Sequence, residues 1–270
     1  MNTNQNKFIY DNLNRINWIF VDLSHPGNLG ACARALKVMG ASNINLVNPK
    51  KKGLGSDDVA IRRAAGAKDV LHSSTVSTFE KASKNANCVI AFSSRKRSLQ
   101  PPEIEFDSMI NMVVKLLLSS KQHRASMVFG GERVGLHNED LIKCTHVCKF
   151  NVNPIYSSLN LSHAVQLVSY ALRIELIKQF LILTDSKSLI DRENKKNKFT
   201  SKNVCITQEK ILSLKNSFLE LTKDVGLIKS NNAGRIEQRI SRILATSNLS
   251  ENDFKLLQSF FALIKKKLKD

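Results

Sequence analysis

The chain of 270 residues carries 41 lysines and arginines against 23 acidic residues, a net charge of +18, and 42% of its residues are hydrophobic. Its first 14 residues are polar, and no apolar run reaches the length of a bilayer span. We therefore expect a cytoplasmic protein rather than a secreted or membrane protein. The basic excess favours a polyanionic partner, usually nucleic acid; an anionic membrane surface or a generally basic proteome are the alternatives.

Strand-like and helix-like segments alternate between residues 16 and 180. Residues 18–23 are apolar with β-branched and aromatic members, which predicts a buried strand, and apolar residues at helical spacing then run to Met39, with Gly40 as the stop. A long amphipathic helix is predicted from Leu161 to Phe180. This alternation predicts an α/β fold with a largely parallel sheet. Further strands are predicted at residues 43–47, 88–92, 127–129 and 147–152.

The composition changes towards the C-terminal end. Residues 184–204 are charged and polar, which is typical of a solvated linker. In residues 205–270 apolar side chains recur at helical spacing in three stretches, which predicts three short helices with a common core. We therefore predict a principal domain at residues 1–183, a linker at 184–204 and a small helical appendage at 205–270.

Five cysteines are scattered along the chain, which is typical of free thiols in a reducing compartment. Cys144 and Cys148 flank His146, a grouping that suggests a metal, but no fourth ligand lies near them and a closed zinc site needs four. We therefore predict no metal site. The cysteines are Cys32, Cys88, Cys144, Cys148 and Cys205.

The first candidate functional segment follows the strand predicted at residues 18–23 and opens the next helix. It reads Ser-His-Pro-Gly-Asn-Leu-Gly at residues 24–30, and the unpaired N–H groups of a helix N-terminus suit a phosphate. Arg34 lies six residues after Asn28 among small and apolar neighbours, so it needs a partner, and phosphate is a natural bidentate one. A solvated or salt-bridged arginine is the alternative.

Two later segments, each following a predicted strand, carry several polar residues that are candidates for a functional site. Residues 129–136 read Phe-Gly-Gly-Glu-Arg-Val-Gly-Leu; their glycines let the backbone approach a ligand, and Glu132 can orient an arginine or accept from a hydroxyl. An ordinary strand-to-helix turn is the alternative there. Residues 153–162 precede the long helix, and a capping role for Ser158 or Asn160 would explain one polar residue but not the whole run.

The three segments together resemble a known family. Asn-x-Gly-x-x-x-Arg, Phe-Gly-x-Glu-x-x-Gly-Leu and Ser-Leu-Asn-Leu-Ser occur in the order and spacing of motifs 1, 2 and 3 of the SpoU family of RNA ribose methyltransferases, a branch of the SPOUT class. The resemblance spans residues 17–175. Residues 63–67, 91–99 and 153–161, together with the helical appendage, look like the TrmJ-type subgroup, which acts on cytidine or uridine in tRNA.

The resemblance implies a deep trefoil knot at the C-terminal end of the α/β domain, S-adenosylmethionine bound inside it, and a homodimer whose active sites are completed by both chains. A topology argument from sequence alone argues against a knot. The catalytic positions carried over by the resemblance are Asn28, Arg34, Glu132, Ser158 and Asn160. Those carried over for the cofactor are Phe92, Ser93, Ser94, Gly130, Phe150, Ser157, Ser158, Leu159 and Asn160.

Two positions depart from the family pattern and one assigned role is open. Phe92 stands where a small or hydroxyl residue is usual, and Ala171 stands where glutamate commonly follows the tyrosine. The family arginine, here Arg34, is often described as the general base. Because a guanidinium is normally protonated, a cation that pairs the substrate phosphate and stabilises the developing alkoxide is physically easier.

The activity implied by the resemblance is 2′-O-methylation of tRNA by S-adenosylmethionine, at cytidine or uridine 32 of the anticodon loop. The same chemistry on ribosomal RNA or at another tRNA position is one alternative, and a non-catalytic RNA-binding protein on the same fold is a second. A nucleotide-binding dehydrogenase is a third; the run Gly53-Leu54-Gly55 lacks the third glycine of a dinucleotide fingerprint and follows three lysines rather than a strand.

Overall fold

The sheet of the principal domain is parallel throughout. The computed structural model describes residues 3–95, 97, 100–190, 206–228 and 233–268. The strands in these residues are β1 (Ile16–Val21), β2 (Ile44–Val47), β3 (Thr75–Ser77), β4 (Cys88–Phe92), β5 (Glu103–Ile104), β6 (Ala125–Phe129) and β7 (His146–Cys148). They form one sheet in the order β3-β2-β1-β6-β4-β7-β5, and every neighbouring pair is parallel. The predicted α/β fold with a largely parallel sheet is confirmed.

Helices connect the strands and form the C-terminal region. Gly40 ends the second helix with a φ of +87°, a conformation that favours glycine, and its N–H bonds the last helical carbonyls. In the described part of the chain, no helix combines the length and apolar character needed to span a bilayer. The helices are α1 (Thr3–Leu13), α2 (Pro26–Met39), α3 (Asp58–Ala64), α4 (Lys68–His72), α5 (Phe79–Ser83), α6 (Phe106–Ser119), α7 (Asn138–Leu141), α8 (Leu161–Ile190), α9 (Gln208–Asp224), α10 (Ala233–Thr246) and α11 (Glu251–Lys267).

The sheet buries both of its faces, because successive side chains of a strand point to opposite sides. In β1, Trp18 and Phe20 join the core beneath helices α1, α2, α6 and α8, whereas Ile19 and Val21 join the core beneath α5 and α7. Because both faces are covered, the sequences of the central strands are continuous apolar runs. This burial explains why β1 and β4 were recognisable from the sequence.

Several elements differ from the sequence prediction. The strand predicted at 147–152 ends at Cys148, where its pairing with β4 ends at Phe92 and a last bond runs from the Ser93 N–H to the Cys148 carbonyl oxygen at 3.3 Å. Helix α1 was not predicted; its polar sequence hides a short apolar face, formed by Ile9 and Leu13, which is fully buried. The edge strands β3 and β5, with two or three residues each, were also missed.

The C-terminal helices α9, α10 and α11 surround a core of their own that includes Leu214, Ile240 and Phe261. This unit contacts the principal domain where the backbone N–H of Gln208 donates to the carbonyl oxygen of Ala86 at 3.0 Å. Helix α8 continues to Ile190, into the range predicted as a linker, and residues 191–205, including Cys205, lie outside the described residues. The domain boundaries and the trefoil knot stay predictions.

Candidate active site

The candidate site lies at one edge of the sheet, where β1, β6, β4 and β7 end side by side. Parallel strands place their carboxyl ends at the same edge, which is where open α/β sheets bind ligands. The chain that follows these strands supplies the three motif segments: residues 22–28, which include the start of α2, after β1, residues 130–136 after β6 and residues 149–160 after β7. Residues far apart in the sequence therefore converge here.

Glu132 is the centre of a hydrogen-bond network that joins the first two segments. Its carboxylate accepts from the Ser24 hydroxyl at 2.8 Å, the Ser24 and His25 backbone N–H groups at 3.2 and 3.1 Å, and the Asn28 side-chain amide at 2.9 Å. Burial acts to raise the pKa of Glu132, but these hydrogen bonds together outweigh it and leave the pKa below its ordinary value. Glu132 is therefore an ionised acceptor with four donors.

Asn28 and Asn160 extend this network to the third segment. The Asn160 side-chain N–H donates to the Asn28 side-chain oxygen at 3.3 Å, while the Asn160 oxygen accepts from the Ser162 backbone N–H at 2.9 Å. Asn160 therefore caps the start of α8 and also holds Asn28, so that both the capping and the site interpretation of this residue apply. Asn28 in turn has both ends of its amide engaged.

The same hydrogen bonds change the picture of the α2 N-terminus. A phosphate was expected to bind the N–H groups there, but Glu132 takes those of Ser24 and His25, and the His25 ring nitrogen takes that of Gly27 at 3.1 Å. A protein carboxylate thus occupies a position suited to an anion. The geometry leaves side-chain cations, rather than this helix end, as the groups available for a phosphate.

Next to Glu132 the loops enclose a cavity of about 260 Å³. Eight of the nine positions predicted for the cofactor line it, and the ninth, Asn160, contacts Asn28 instead. Of the predicted catalytic residues, Glu132 and Ser158 line the cavity. The eight positions are Phe92, Ser93, Ser94, Gly130, Phe150, Ser157, Ser158 and Leu159.

Stacked phenyl rings form one wall of this cavity. The ring of Phe92 lies 4.6 Å from that of Phe129, nearly parallel to it, and 5.5 Å from that of Phe150. Phe92, which departs from the family pattern, is buried in this stack. Its side chain therefore supplies apolar surface rather than the polar contact that a hydroxyl residue would make.

Arg34 lies outside the cavity of its own chain. It is exposed on α2, does not line the cavity, and forms no hydrogen bond or ion pair with another described residue. Arg34 is therefore not salt-bridged to any described residue. A free, exposed guanidinium two helical turns from the Asn28 network is available to a partner from outside the chain.

The cavity also holds residues that the sequence prediction did not assign. Arg95, Arg133 and Lys149 line it, and Lys149 pairs with Glu103 at 2.6 Å. The loop after β6 closes on itself, since a Cβ on Gly130 would lie 2.1 Å from the carbonyl carbon of Gly135. Gly130 therefore serves loop closure, while a Cβ on Gly131 would lie 2.5 Å from the carbonyl oxygen of Asp22 in the loop after β1. The basic residues of these loops were the available sequence signal for the added cations.

The grouping of Cys144, His146 and Cys148 has no site geometry. Both thiols are buried, and burial raises their pKa values above the ordinary range, which disfavours the thiolate that a metal needs. Burial also lowers the pKa of His146. Among the described residues, no three or more histidine, cysteine, aspartate or glutamate side chains are placed to hold a metal ion.

Known proteins are similar to this chain over more than half of its length. The model of the SpoU rRNA Methylase family matches residues 15–170. A protein of Photorhabdus laumondii named tRNA (cytidine/uridine-2′-O-)-methyltransferase TrmJ is 32% identical over 255 residues, which cover 94% of this chain and 98% of the relative. The TrmJ of Pectobacterium atrosepticum is 41% identical over 163 residues, or 60% of this chain and 65% of the relative.

Among solved structures, TrmJ from Z. mobilis ZM4 matches with a TM-score of 0.74 over 92% of this chain and 98% of that chain. At 21% identity this likeness concerns the fold alone, but it includes the helical C-terminal region. The family match covers the sheet, the three motif segments and the cavity between them. The chain belongs to the SpoU rRNA Methylase family.

Proposed function

We propose that the chain transfers a methyl group from S-adenosylmethionine to the ribose 2′-hydroxyl of cytidine or uridine in tRNA, at position 32 of the anticodon loop. The observation that carries the proposal is the cavity at the strand ends, with the Glu132–Asn28–Asn160 network beside it. Relatives named TrmJ that align along nearly the whole chain support tRNA as the substrate. A tRNA-modifying role is consistent with a cytoplasmic location.

The residues of the cavity fit S-adenosylmethionine, which supplies an electrophilic methyl group on a sulfonium when it is bound. The wall of Phe92, Phe129 and Phe150 offers apolar surface for an adenine. Serine side chains around it make no hydrogen bond with other described residues and can bond the ribose hydroxyls or the amino-acid end. These serines are Ser93, Ser94, Ser157 and Ser158.

The protein's own contribution is orientation and charge. Glu132, Asn28 and Asn160 hold three loops in a fixed arrangement, so the positions that contact the reactants are set before RNA binds. Alignment of two bound reactants can lower a barrier by up to roughly 7–11 kcal/mol. In our proposal Arg34 pairs the phosphate next to the target ribose and stabilises the oxygen as its proton leaves.

We further propose a homodimer in which Arg34 of one chain completes the cavity of the other. Two observations support it: Arg34 does not line its own cavity, and apolar side chains are exposed on the adjoining helices α2 and α8, namely Val38, Leu167 and Tyr170. Such a shared site is testable by mixing two impaired variants, Arg34→Ala and Glu132→Gln, under conditions of subunit exchange.

A mixed dimer has one site with both residues intact, so we expect methylation to return when the two variants are combined. Each variant alone, exchanged with itself, is the control. If the mixture stays as inactive as its components while exchange is shown by native mass spectrometry, Arg34 and Glu132 act within one chain and the shared-site proposal is wrong.

The appendage has the surface that we propose for guiding tRNA. Arg235, Arg239 and Arg242 lie on one side of α10, since their spacing of four and three residues returns to the same face. All three are exposed, and none pairs with an acidic side chain of the described residues. We propose that this face, the arginine face, contacts RNA phosphates. We keep as a proposal the division into a principal domain at residues 1–183, a linker at 184–204 and the appendage at 205–270.

Mapping ribose methylation across total RNA, with and without the gene, tests the proposed function. We expect one lost signal, at pyrimidine 32 of a set of tRNAs. Loss at another tRNA position or in ribosomal RNA would move the substrate to the corresponding alternative. No lost signal, combined with no heat of S-adenosylmethionine binding by calorimetry, would favour a non-catalytic RNA-binding protein on this fold.

A further inference from the structure

The last helix, α11, has an apolar face that nothing in the described chain covers. Leu256, Phe260 and Leu263 are 69%, 54% and 65% exposed. Their spacing of four and three residues places them on one side of the helix, within about 60° of each other at about 100° per residue. The other side of α11 packs into the core of the appendage through Phe254 and Phe261. The exposed face, here called the outer face, is thus separate from that core.

Charged residues of opposite sign bound the outer face at its two ends. Asp253 and Lys267 each lie seven positions from Phe260, about two turns, so both fall on the same side of the helix as Phe260. Lys267 is exposed and forms no ion pair with another described residue. Asp253 bonds Ser250 at the helix start, and these hydrogen bonds hold its pKa below the ordinary value, so it is ionised near neutral pH.

This arrangement is complementary to itself. When two such helices run antiparallel with their Phe260 side chains at the twofold axis, Asp253 of each copy faces Lys267 of the other, because the two are equally far from Phe260. Leu256 of one copy then lies near Leu263 of the other. A parallel pair would instead place like charges together. The charges therefore make the outer face of a second copy, in the antiparallel orientation, a better partner than an apolar surface without such charges.

We infer that the outer face of α11 is a self-association surface whose partner is α11 of a second copy of this chain, antiparallel about Phe260. From Asp253 to Lys267 the contact spans only about four helical turns of each copy, so it buries less than the roughly 1,200–2,000 Å² of a standard interface. The association is therefore weak and depends on protein concentration. It lies on a different unit from the methyl-transfer cavity. The inference therefore stands apart from the proposed function.

Site-directed cross-linking of the full chain tests the geometry. In a Cys205→Ser background, Phe260→Cys places a thiol at the twofold axis, whereas Lys255→Cys places one on an exposed position about 140° around the same helix. We expect covalent dimers of the Phe260→Cys chain to form at least several-fold faster under mild oxidation. Equal rates for the two chains would overturn the inference, whatever other dimer contact exists.

Equilibrium sedimentation of single variants tests the charge pairing. Lys267→Glu places like charges across the proposed contact and should weaken self-association several-fold, whereas Lys266→Glu, an equal charge change about 120° away from Phe260, should change it little. Phe260→Asp should weaken it most. All three positions are exposed, so circular dichroism should show unchanged helix content. If Phe260→Asp and Lys267→Glu associate like wild type, the inference is wrong; methylation activity is not the readout.

Discussion

The cavity at the sheet edge and the arginine face of α10 use polar side chains in opposite ways. At the cavity, Glu132 and Asn28 satisfy each other and the surrounding backbone. On α10, Arg235, Arg239 and Arg242 lie exposed with no acidic partner among the described residues. Engaged side chains define a geometry but attract little from outside, whereas unpaired cations attract a polyanion without positioning it. In the functions proposed above, alignment of the reactants therefore falls to the cavity, and attraction of RNA falls to the arginine face.

Arg34 belongs to neither region, because it is unpaired like the α10 arginines but lies on α2, the helix that also carries Asn28. If it stabilises charge during the reaction, Arg34→Ala should lower kcat by about 100- to 1,000-fold. The Kd for tRNA should stay nearly unchanged. Arg34→Lys should retain part of the turnover, because lysine keeps the positive charge but lacks the planar guanidinium that binds a phosphate with two hydrogen bonds. The measurements are single-turnover methylation and filter binding.

Lys37→Ala is the matched control for Arg34→Ala, since Lys37 is exposed on the same helix and pairs with Asp69 at 2.7 Å. It should leave kcat within a factor of two or three of wild type, as expected for a surface ion pair. Near-normal methylation by Arg34→Ala would show that Arg34 has no role in the reaction and is only another exposed cation that attracts RNA.

Glu132→Gln tests whether the engaged network sets the geometry. The amide loses the charge and turns an N–H donor towards groups that are themselves donors, so the loops after β1 and β6 should shift relative to each other. We expect kcat to fall by about 10- to 100-fold, the scale that a misplacement of about 1 Å can produce. An unchanged kcat with unchanged S-adenosylmethionine affinity would show that the network is not needed for alignment.

Replacing Arg235, Arg239 and Arg242 with glutamine tests the attractive region. Three lost phosphate contacts should weaken tRNA binding by about tenfold and reduce the slope of log K against log salt by about 2 to 3. At saturating tRNA, kcat should be unchanged. The measurement is tRNA binding over a series of salt concentrations.

The control for the arginine face removes three lysines of the appendage that are already paired with carboxylates: Lys210, Lys215 and Lys265. The net charge change is the same, so a smaller effect on the salt slope is expected. Equal effects of the two triple variants would mean that total charge, and not the arginine face, determines binding.

The smallest expected effect concerns pH. Because the folded pKa of Glu132 is lowered, its ionisation stabilises the fold above the ordinary value of 4.5, and this contribution is lost as the pH falls through the folded value. The difference in free energy of unfolding between wild type and Glu132→Gln should therefore be constant near neutral pH and shrink below about pH 4.5. Denaturant unfolding at several pH values measures it; a difference that grows on acidification contradicts the assignment.

Much of the fold was predictable because the apolar residues within a segment indicate which of its side chains are buried. The runs that became β1 and β4 are apolar throughout since both faces of the sheet are covered, and Gly40 marks a helix end by its own conformational freedom. Helix α1 escaped detection because few of its residues are buried. The predicted strand at 147–152 was too long because strand length depends on a partner, here β4, that local sequence does not reveal.

The sequence alone determined which residues belong to the three motif segments, and it located the strands and helices whose apolar residues are most continuous, such as β1, β4 and α8. The tertiary structure decided what these residues do to each other: Glu132 meets Ser24, His25 and Asn28 only because β1 and β6 are neighbours in a parallel sheet. It also decided that Arg34 lies outside the cavity of its own chain. The spacing of apolar residues along a segment indicates which of its side chains are buried. The order of strands in a sheet depends instead on backbone pairing between segments that are far apart in the sequence, so no single segment reveals it.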